Sequence, residues 1–202
     1  MEKESLQETA QRLKNFQGNV KGDIFVSHKN YIKEKEGEKG VEKVEKKMKE
    51  LGVEIDFEEI INSLDWVNEG KASLVPVVAK EIFGWTDEDI FDMGRRSTRN
   101  SFIMKILLKY LVSVETMFKN VGNYWDKHLD FGSLEAVKFD KKKQEIILRE
   151  KGYKTHPLIC IYHAGFFKGM MEFVLKDKKV TVEETACVFE GADYNEYLIK
   201  WQ

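Results

Sequence analysis

Apolar residues recur at helical spacing through most of the first half of the chain, while shorter alternating runs appear only in the last third. From Glu2 to about Phe16, Leu6, Ala10 and Leu13 share one side and predict a weakly apolar helix that packs on the rest or contacts a partner. Val20 to Val26 leads into Tyr31 and Ile32, and a charged helix follows over Glu38 to Leu51, with Val41, Val44, Met48 and Leu51 inward and Gly52 as terminator. Two short helices are expected at Phe57 to Leu64 and Ser73 to Phe83, separated by Asn68, Glu69 and Gly70. Thr86 to Asp89 has the acidic first turn of a further helix. The strongest pattern, Arg99 to Val121, carries Ile103, Ile106, Leu107, Tyr110, Leu111, Val114, Met117 and Phe118 on a broad apolar face, and predicts a central buried helix.

After Trp125 the period changes. Leu134 to Phe139 and Gln144 to Leu148 read as a hairpin turning at Asp140 to Lys143. Pro157 suits the first turn of a helix running to about Leu175, with Thr155 or His156 as its cap, because the missing N–H costs nothing there. Val180 to Phe189 and Tyr194 to Trp201 form a second hairpin, turning at Glu190 to Asp193. Helices, hairpin, helix, hairpin is an α+β order, with a helical part packed on an antiparallel sheet and its helix. Residues 1–19 are expected as a helical arm and 20–202 as one domain, its helical part about 20–125 and its α/β part about 126–202.

Composition narrows the function. With 33 Lys and Arg against 35 Asp and Glu the formal charge is −2, which offers no basic excess for nucleic acid. The polar N-terminus and the absence of a clear run of about 20 apolar residues argue against a signal peptide or membrane span, so a cytoplasmic protein is expected. Cys160 and Cys187 are too few for a disulfide scaffold and are free to bind metal or to fill core. Arg95, Arg96 and Arg99 form a basic cluster, read as solvated or paired with nearby acids. No Gly-rich phosphate loop, nucleophile elbow or His-Glu-x-x-His pair is present, so a non-enzymatic role is expected.

Val20, Lys21, Gly22, Asp23, Ile24 and Phe25, the charged helix ending at Gly52, and Phe83, Gly84 and Trp85 together resemble the opening of the heme-nitric oxide/oxygen binding (H-NOX) domains. Tyr153, Thr155 and Pro157 stand where that family has its Tyr-x-Ser-x-Arg motif, followed by Ile161 to Gly169, and the resemblance spans about residues 20–201. It implies a heme held by a histidine on the helix before the first hairpin, with Tyr, Ser and Arg clamping the propionates. Tyr110 to Lys119 contains no histidine, and Pro157 replaces the arginine, removing a positive charge and a donor. His128 is expected beyond the helix, and Tyr153, Thr155 and His128 are the candidate heme contacts.

The C-terminal stretch also resembles the 4-vinyl-reductase (4VR) domains of aromatic-sensing regulators, in a superfamily with the TRAPP vesicle-tethering subunits. Cys160, Gly165, Gly169, Glu184 and Cys187 meet the 4VR pattern, while Asn195 replaces its last cysteine. By that resemblance Cys160, Glu184 and Cys187 are zinc ligands. His163, three residues after Cys160 on a helix, makes a fourth conceivable, although Glu184 and Cys187 share a strand face only if a bulge intervenes. Tyr110, Met117, Phe118, Tyr153, Tyr162, Phe166 and Met170 are candidates to line an internal pocket, the plain alternative being ordinary core. Gly165 and Gly169, four apart, permit close approach of another backbone or a ligand.

The resulting expectation is a sensing or signal-transduction domain for a small apolar or amphipathic molecule, as in regulators and chemoreceptors, without standard heme ligation. It would signal to a downstream protein or fused output domain, and a homodimer is compatible with it. A heme-based nitric oxide or oxygen sensor and a TRAPP-like interaction subunit are the alternatives.

Overall fold

The computed structural model describes residues 4–57, 64–100 and 113–202. Among these residues the N-terminal part shows five helices and a two-stranded sheet: α1 Leu6–Lys14, β1 Asn19–Lys21, α2 Asp23–Glu36, α3 Glu38–Glu50, β2 Trp66–Asn68, α4 Glu69–Phe83 and α5 Asp87–Asn100. After residue 112 come α6 Val114–His128, β3 Ser133–Asp140, β4 Glu145–Lys151, α7 Pro157–Leu175, β5 Val180–Ala186 and β6 Asn195–Trp201. The four last strands form an antiparallel sheet in the order β3-β4-β6-β5. This is the α+β architecture read from the period change.

Caps explain most boundaries. Ser5 and Glu8 close a capping box on α1, Thr86 and Asp89 bond reciprocally at the start of α5, and the His156 ring accepts from the Leu158 N–H above Pro157. Asn68, read as a separator, is instead the cap of α4, its side chain accepting from the Lys71 N–H. Its neighbours Trp66 and Val67 pair with Lys21 and Val20, a small sheet the helical period did not show. Phe57 to Leu64 lies almost wholly outside the described residues.

The long helix expected over Arg99 to Val121 needs correction. Residues 101–112 lie outside the described residues, α5 ends at Asn100, and a separate helix begins after Ser113. Ser113 is extended (φ −156°, ψ 158°) and accepts from the Thr116 N–H at 3.1 Å, so its hydroxyl starts α6 where apolar spacing alone runs on. That shift carries the helix past Val121 to His128.

Two apolar clusters result. One gathers α1 to α5 around Leu13, Ile32, Val44, Met48, Leu74 and Ile90, and the other joins α6 to the sheet around Ile146, Met171, Tyr197 and Ile199. Ala10 and Leu13 are fully buried in the first, so α1 is packed into the domain. Helix α7 belongs to both: Leu158 and Tyr162 enter the first cluster, and Ile159, Phe167, Met170 and Met171 the second. By length and composition α7 is the one helix among the described residues that passes as a membrane span, contrary to the sequence expectation, but its apolar circumference is covered from both sides as in a core helix.

Helices α5 and α7 meet backbone to backbone. A methyl group on Gly94 would lie 1.9 Å from the Tyr162 carbonyl oxygen, one on Gly165 1.9 Å from that of Phe91, and one on Gly169 2.3 Å from that of Arg95. Only glycine allows this approach, since the obstacle is main chain and not a side chain that can swing away. Arg95 ties the crossing further, donating to Glu172 at 2.8 Å, and Arg96 pairs with Asp92 and Glu34. Arg95 and Arg96 of the basic cluster are therefore engaged in ion pairs inside the domain.

Replacing Gly165 by alanine should destabilise the chain by about 2 kcal/mol or more. Urea unfolding measures this, and an unchanged midpoint would mean that the crossing opens freely.

Candidate ligand-binding site

Between the two clusters lies a cavity of about 120 Å³. Its volume is of the order of the roughly 150 Å³ apolar cavity known to accept benzene in another protein. The N-terminal part contributes Asp23, Ser27 and His28 from α2, Glu69 and Ser73 from α4, and Ser97 from α5. The opposite side is Tyr124, Trp125 and His128 from α6, with Tyr153 and a face of α7 made by Tyr162, His163, Phe166, Phe167 and Met170. Of the pocket residues named from sequence, Tyr153, Tyr162, Phe166 and Met170 line this cavity. Met117 instead lines a small void behind Phe167 and Met170, Phe118 packs on Phe139 with centroids 5.5 Å apart, and Tyr110 lies outside the described residues. The ending of the apolar helix at residue 128 turns these two away from the cavity and brings Tyr124, Trp125 and His128 toward it.

His128 is the last residue of α6, not a loop residue. The following segment is pinned to the start of the chain's first sheet: Leu129 bridges to Val20, and Asp130 exchanges main-chain and side-chain hydrogen bonds with Asn19. The His128 Nδ1 lies 2.9 Å from the Tyr124 carbonyl oxygen, while Nε2 is buried without a partner among the described residues. A carbonyl only accepts, so Nδ1 carries the hydrogen and Nε2 presents a lone pair.

The sequence reading missed His28, Ser27, Asp23, Glu69 and Ser73. Both ring nitrogens of His28 and the Ser27 hydroxyl are buried without partners among the described residues. Burial pushes the His28 ring down to about 3, so it stays neutral. The only sequence signal was their placement: Asp23 and Ser27 are one helical turn apart, on a helix whose neighbouring Phe25, Tyr31 and Ile32 are core.

Glu69 anchors a buried polar network. Its carboxylate accepts from the Tyr153 hydroxyl and, at 2.7 Å, from Ser73, whose Oγ also lies 3.1 Å from Thr155 Oγ1. Burial, opposed by these hydrogen bonds, raises the Glu69 carboxyl, and burial with the nearby carboxylate raises Tyr153. The Tyr153 ring packs on His163 at 4.7 Å, and His163 Nδ1 lies 2.7 Å from Glu150 Oε1. Burial opposes charge on His163, but the adjacent Glu150 prevails and raises its pKa. Asn195 completes the chain of contacts, donating to Glu150 at 2.8 Å and accepting from the Val188 N–H at 2.9 Å.

A second cluster stands apart. The sulfurs of Cys160 and Cys187 are 4.0 Å apart, and a Glu184 oxygen joins them within 4.8 Å. The register shift between Glu184 and Ala186 is the bulge that returns Glu184 and Cys187 to a common side. His163 does not join this group, because Glu150 holds it at the cavity, and Asn195 is engaged by Glu150 and Val188.

No protein-family model matches the chain, and no curated protein matches it. Solved structures do match. An H-NOX protein from S. oneidensis in the Fe(II)NO ligation state superposes with a TM-score of 0.67 at 13% identity, over 91% of this chain and 99% of that one. An oxygen-binding H-NOX domain related to soluble guanylate cyclases gives 0.65 at 15%, over 91% and 95%. The unliganded Fe(II) H-NOX protein from K. algicida gives 0.61 at 12%, over 91% and 97%. The chain has an H-NOX-like fold.

Heme fits these residues poorly. The hydroxyls of Tyr153 and Ser73 already serve the internal Glu69 carboxylate, Pro157 supplies no donor, and Glu69 and Glu150 bring buried acids to the place expected for propionates. Of the candidate contacts His128 leaves an iron-ligating atom, Nε2, without a partner among the described residues, whereas the Tyr153 hydroxyl is engaged by Glu69.

The neutral His28 gives a pH test. In the folded chain it takes a proton only near pH 3, whereas in the unfolded chain it does so near 6.5. Its stability contribution is complete above that ordinary value and falls as pH drops toward 3, by about 1.4 kcal/mol per pH unit. Urea unfolding between pH 6.5 and 5 should show the wild type losing stability faster than His28→Gln by that amount. Parallel profiles would show that His28 protonates freely in the folded chain.

Proposed function

We propose that the chain is a non-enzymatic small-molecule-sensing domain whose ligand enters the cavity between the two clusters without heme. The observation that carries this reading is the cavity itself, walled on one side by α2 and α4 and on the other by α6 and α7, with buried His28 and Ser27 unsatisfied among the described residues at its edge. An unsatisfied buried polar group costs about 1–3 kcal/mol, which a ligand's hydrogen bond recovers. A ligand touching both walls favours the arrangement in which they are closest, and biases it by no more than its differential affinity. The change would pass to a partner protein or fused output domain. The apolar lining suits a small apolar or amphipathic body.

The second reading, a heme sensor, is favoured by one feature, the His128 Nε2 lone pair. Hemin titration separates the two. We expect no Soret band that follows the protein through gel filtration at one heme per chain. A stoichiometric band abolished by His128→Ala would overturn the heme-free reading.

We also propose that Cys160, Glu184 and Cys187 hold a soft divalent cation that clips the start of α7 to the end of β5. Two thiolates on one zinc, each about 2.3 Å away in tetrahedral geometry, are roughly 3.8 Å apart, close to the 4.0 Å found here. One coordination position is left to water or another donor. Metal analysis should find up to one zinc per chain, lost in Cys187→Ser. Metal-free protein with the same melting temperature before and after added zinc would sink this reading.

A further inference from the structure

Two acids stand buried at the cavity, and each cationic group described near it is engaged by an acid or turned away. Asp23 and Glu69, 3% and 5% exposed, both line it. The one lysine at its edge, Lys21, turns its ammonium outward, 2.7 Å from the Leu64 carbonyl oxygen and 3.7 Å from the centre of the Trp66 ring. Arg95 and Arg96 are taken by Asp92, Glu172 and Glu34. His163, the remaining basic group, sits against Glu150. Among the described residues no ammonium or guanidinium group is aimed inward.

The neutral polar atoms point the same way. His128 presents a lone pair at Nε2, because its Nδ1 hydrogen goes to Tyr124. His28, 2% exposed, lines the cavity with both ring nitrogens unpartnered, and one nitrogen of a neutral imidazole is always an acceptor. The rings of Tyr124, Trp125, Tyr162 and Phe166 also line the cavity, and the face of an aromatic ring carries the negative part of its quadrupole. Glu69 occupies the hydroxyl pair, Tyr153 and Ser73, that would otherwise receive a carboxylate from outside. The hydroxyls of Ser27 and Tyr162 and one nitrogen of His28 leave neutral donors among these groups, but an anionic ligand would also meet two buried acids, whereas a cationic one meets those acids, the imidazole acceptors and the aromatic lining.

On the reading that this cavity is the ligand site, we infer that it selects a small organic cation: a primary amine in its ammonium form on a single-ring or short alkyl body. The ammonium hydrogens are received by Glu69 and by cavity-facing imidazole nitrogens, and the body rests on the aromatic wall. The volume sets the size, since about 120 Å³ holds one ring and little more.

Three probes that share a ring test this on the wild-type chain: benzylamine, benzyl alcohol and benzoate, by calorimetric titration at pH 7. Benzylamine should bind about tenfold or more tightly than benzyl alcohol, and benzoate should give no heat. Glu69→Gln should weaken benzylamine by about tenfold while leaving benzyl alcohol nearly unchanged. Circular dichroism and the melting temperature establish that the variant is folded, and if it is not, the wild-type series decides alone. Benzoate or benzyl alcohol binding as tightly as benzylamine would overturn the cation inference and leave the cavity as a ligand site. No binding by any of the three overturns the inference, and the sensing reading then stands or falls on whether an unrelated small molecule raises the melting temperature.

Discussion

The contact between α5 and α7 fixes the rest of the molecule. Gly94 on one helix and Gly165 and Gly169 on the other bring two backbones together where a single methyl group would strike a carbonyl oxygen. Because α7 passes through both apolar clusters, this crossing sets the distance between them. The helices cannot slide along one another without losing the glycine registry. The cavity is the space left where α2 and α4 face α6 and α7.

The polar network beside the cavity has a cost that is met locally. Glu69 and Glu150 are among the most buried carboxyl groups, and each has neutral or oppositely charged partners: hydroxyls for Glu69, His163 and Asn195 for Glu150. Such groups are tolerated inside only when their acceptor capacity is taken up. Among the described residues His28 and Ser27 have no such partners, and both stand on the cavity wall. A structure that satisfies two buried acids yet leaves a histidine and a serine unsatisfied concentrates its unmet hydrogen-bonding capacity at a single place.

Much of the architecture was legible because local chemistry decided it. The Glu38 helix and its stop at Gly52, the Asp140 turn, the Pro157 start and the Glu190 turn each rest on a few neighbouring residues. Gly165 and Gly169 announced a close approach, although not which helix would make it. The apolar pattern from Arg99 to Val121 misled because amphipathic spacing continues across a break that only the Ser113 cap marks. The same error placed His128 in a loop and drew Met117 and Phe118 toward a pocket that lies elsewhere.

The sequence by itself determined the α+β order and the antiparallel hairpins, and named part of the aromatic lining, since period, caps and turns act over a few residues. Tertiary structure alone decided which polar groups meet. Glu69 and Tyr153 are 84 residues apart, Cys160 and Cys187 depend on a bulge, and His28 and His128 share a cavity only because Leu129 bridges to Val20. Spacing along the chain carries no information about such pairs. Their contact depends on how two helices cross, and a strand's facing residue changes with a single step of register.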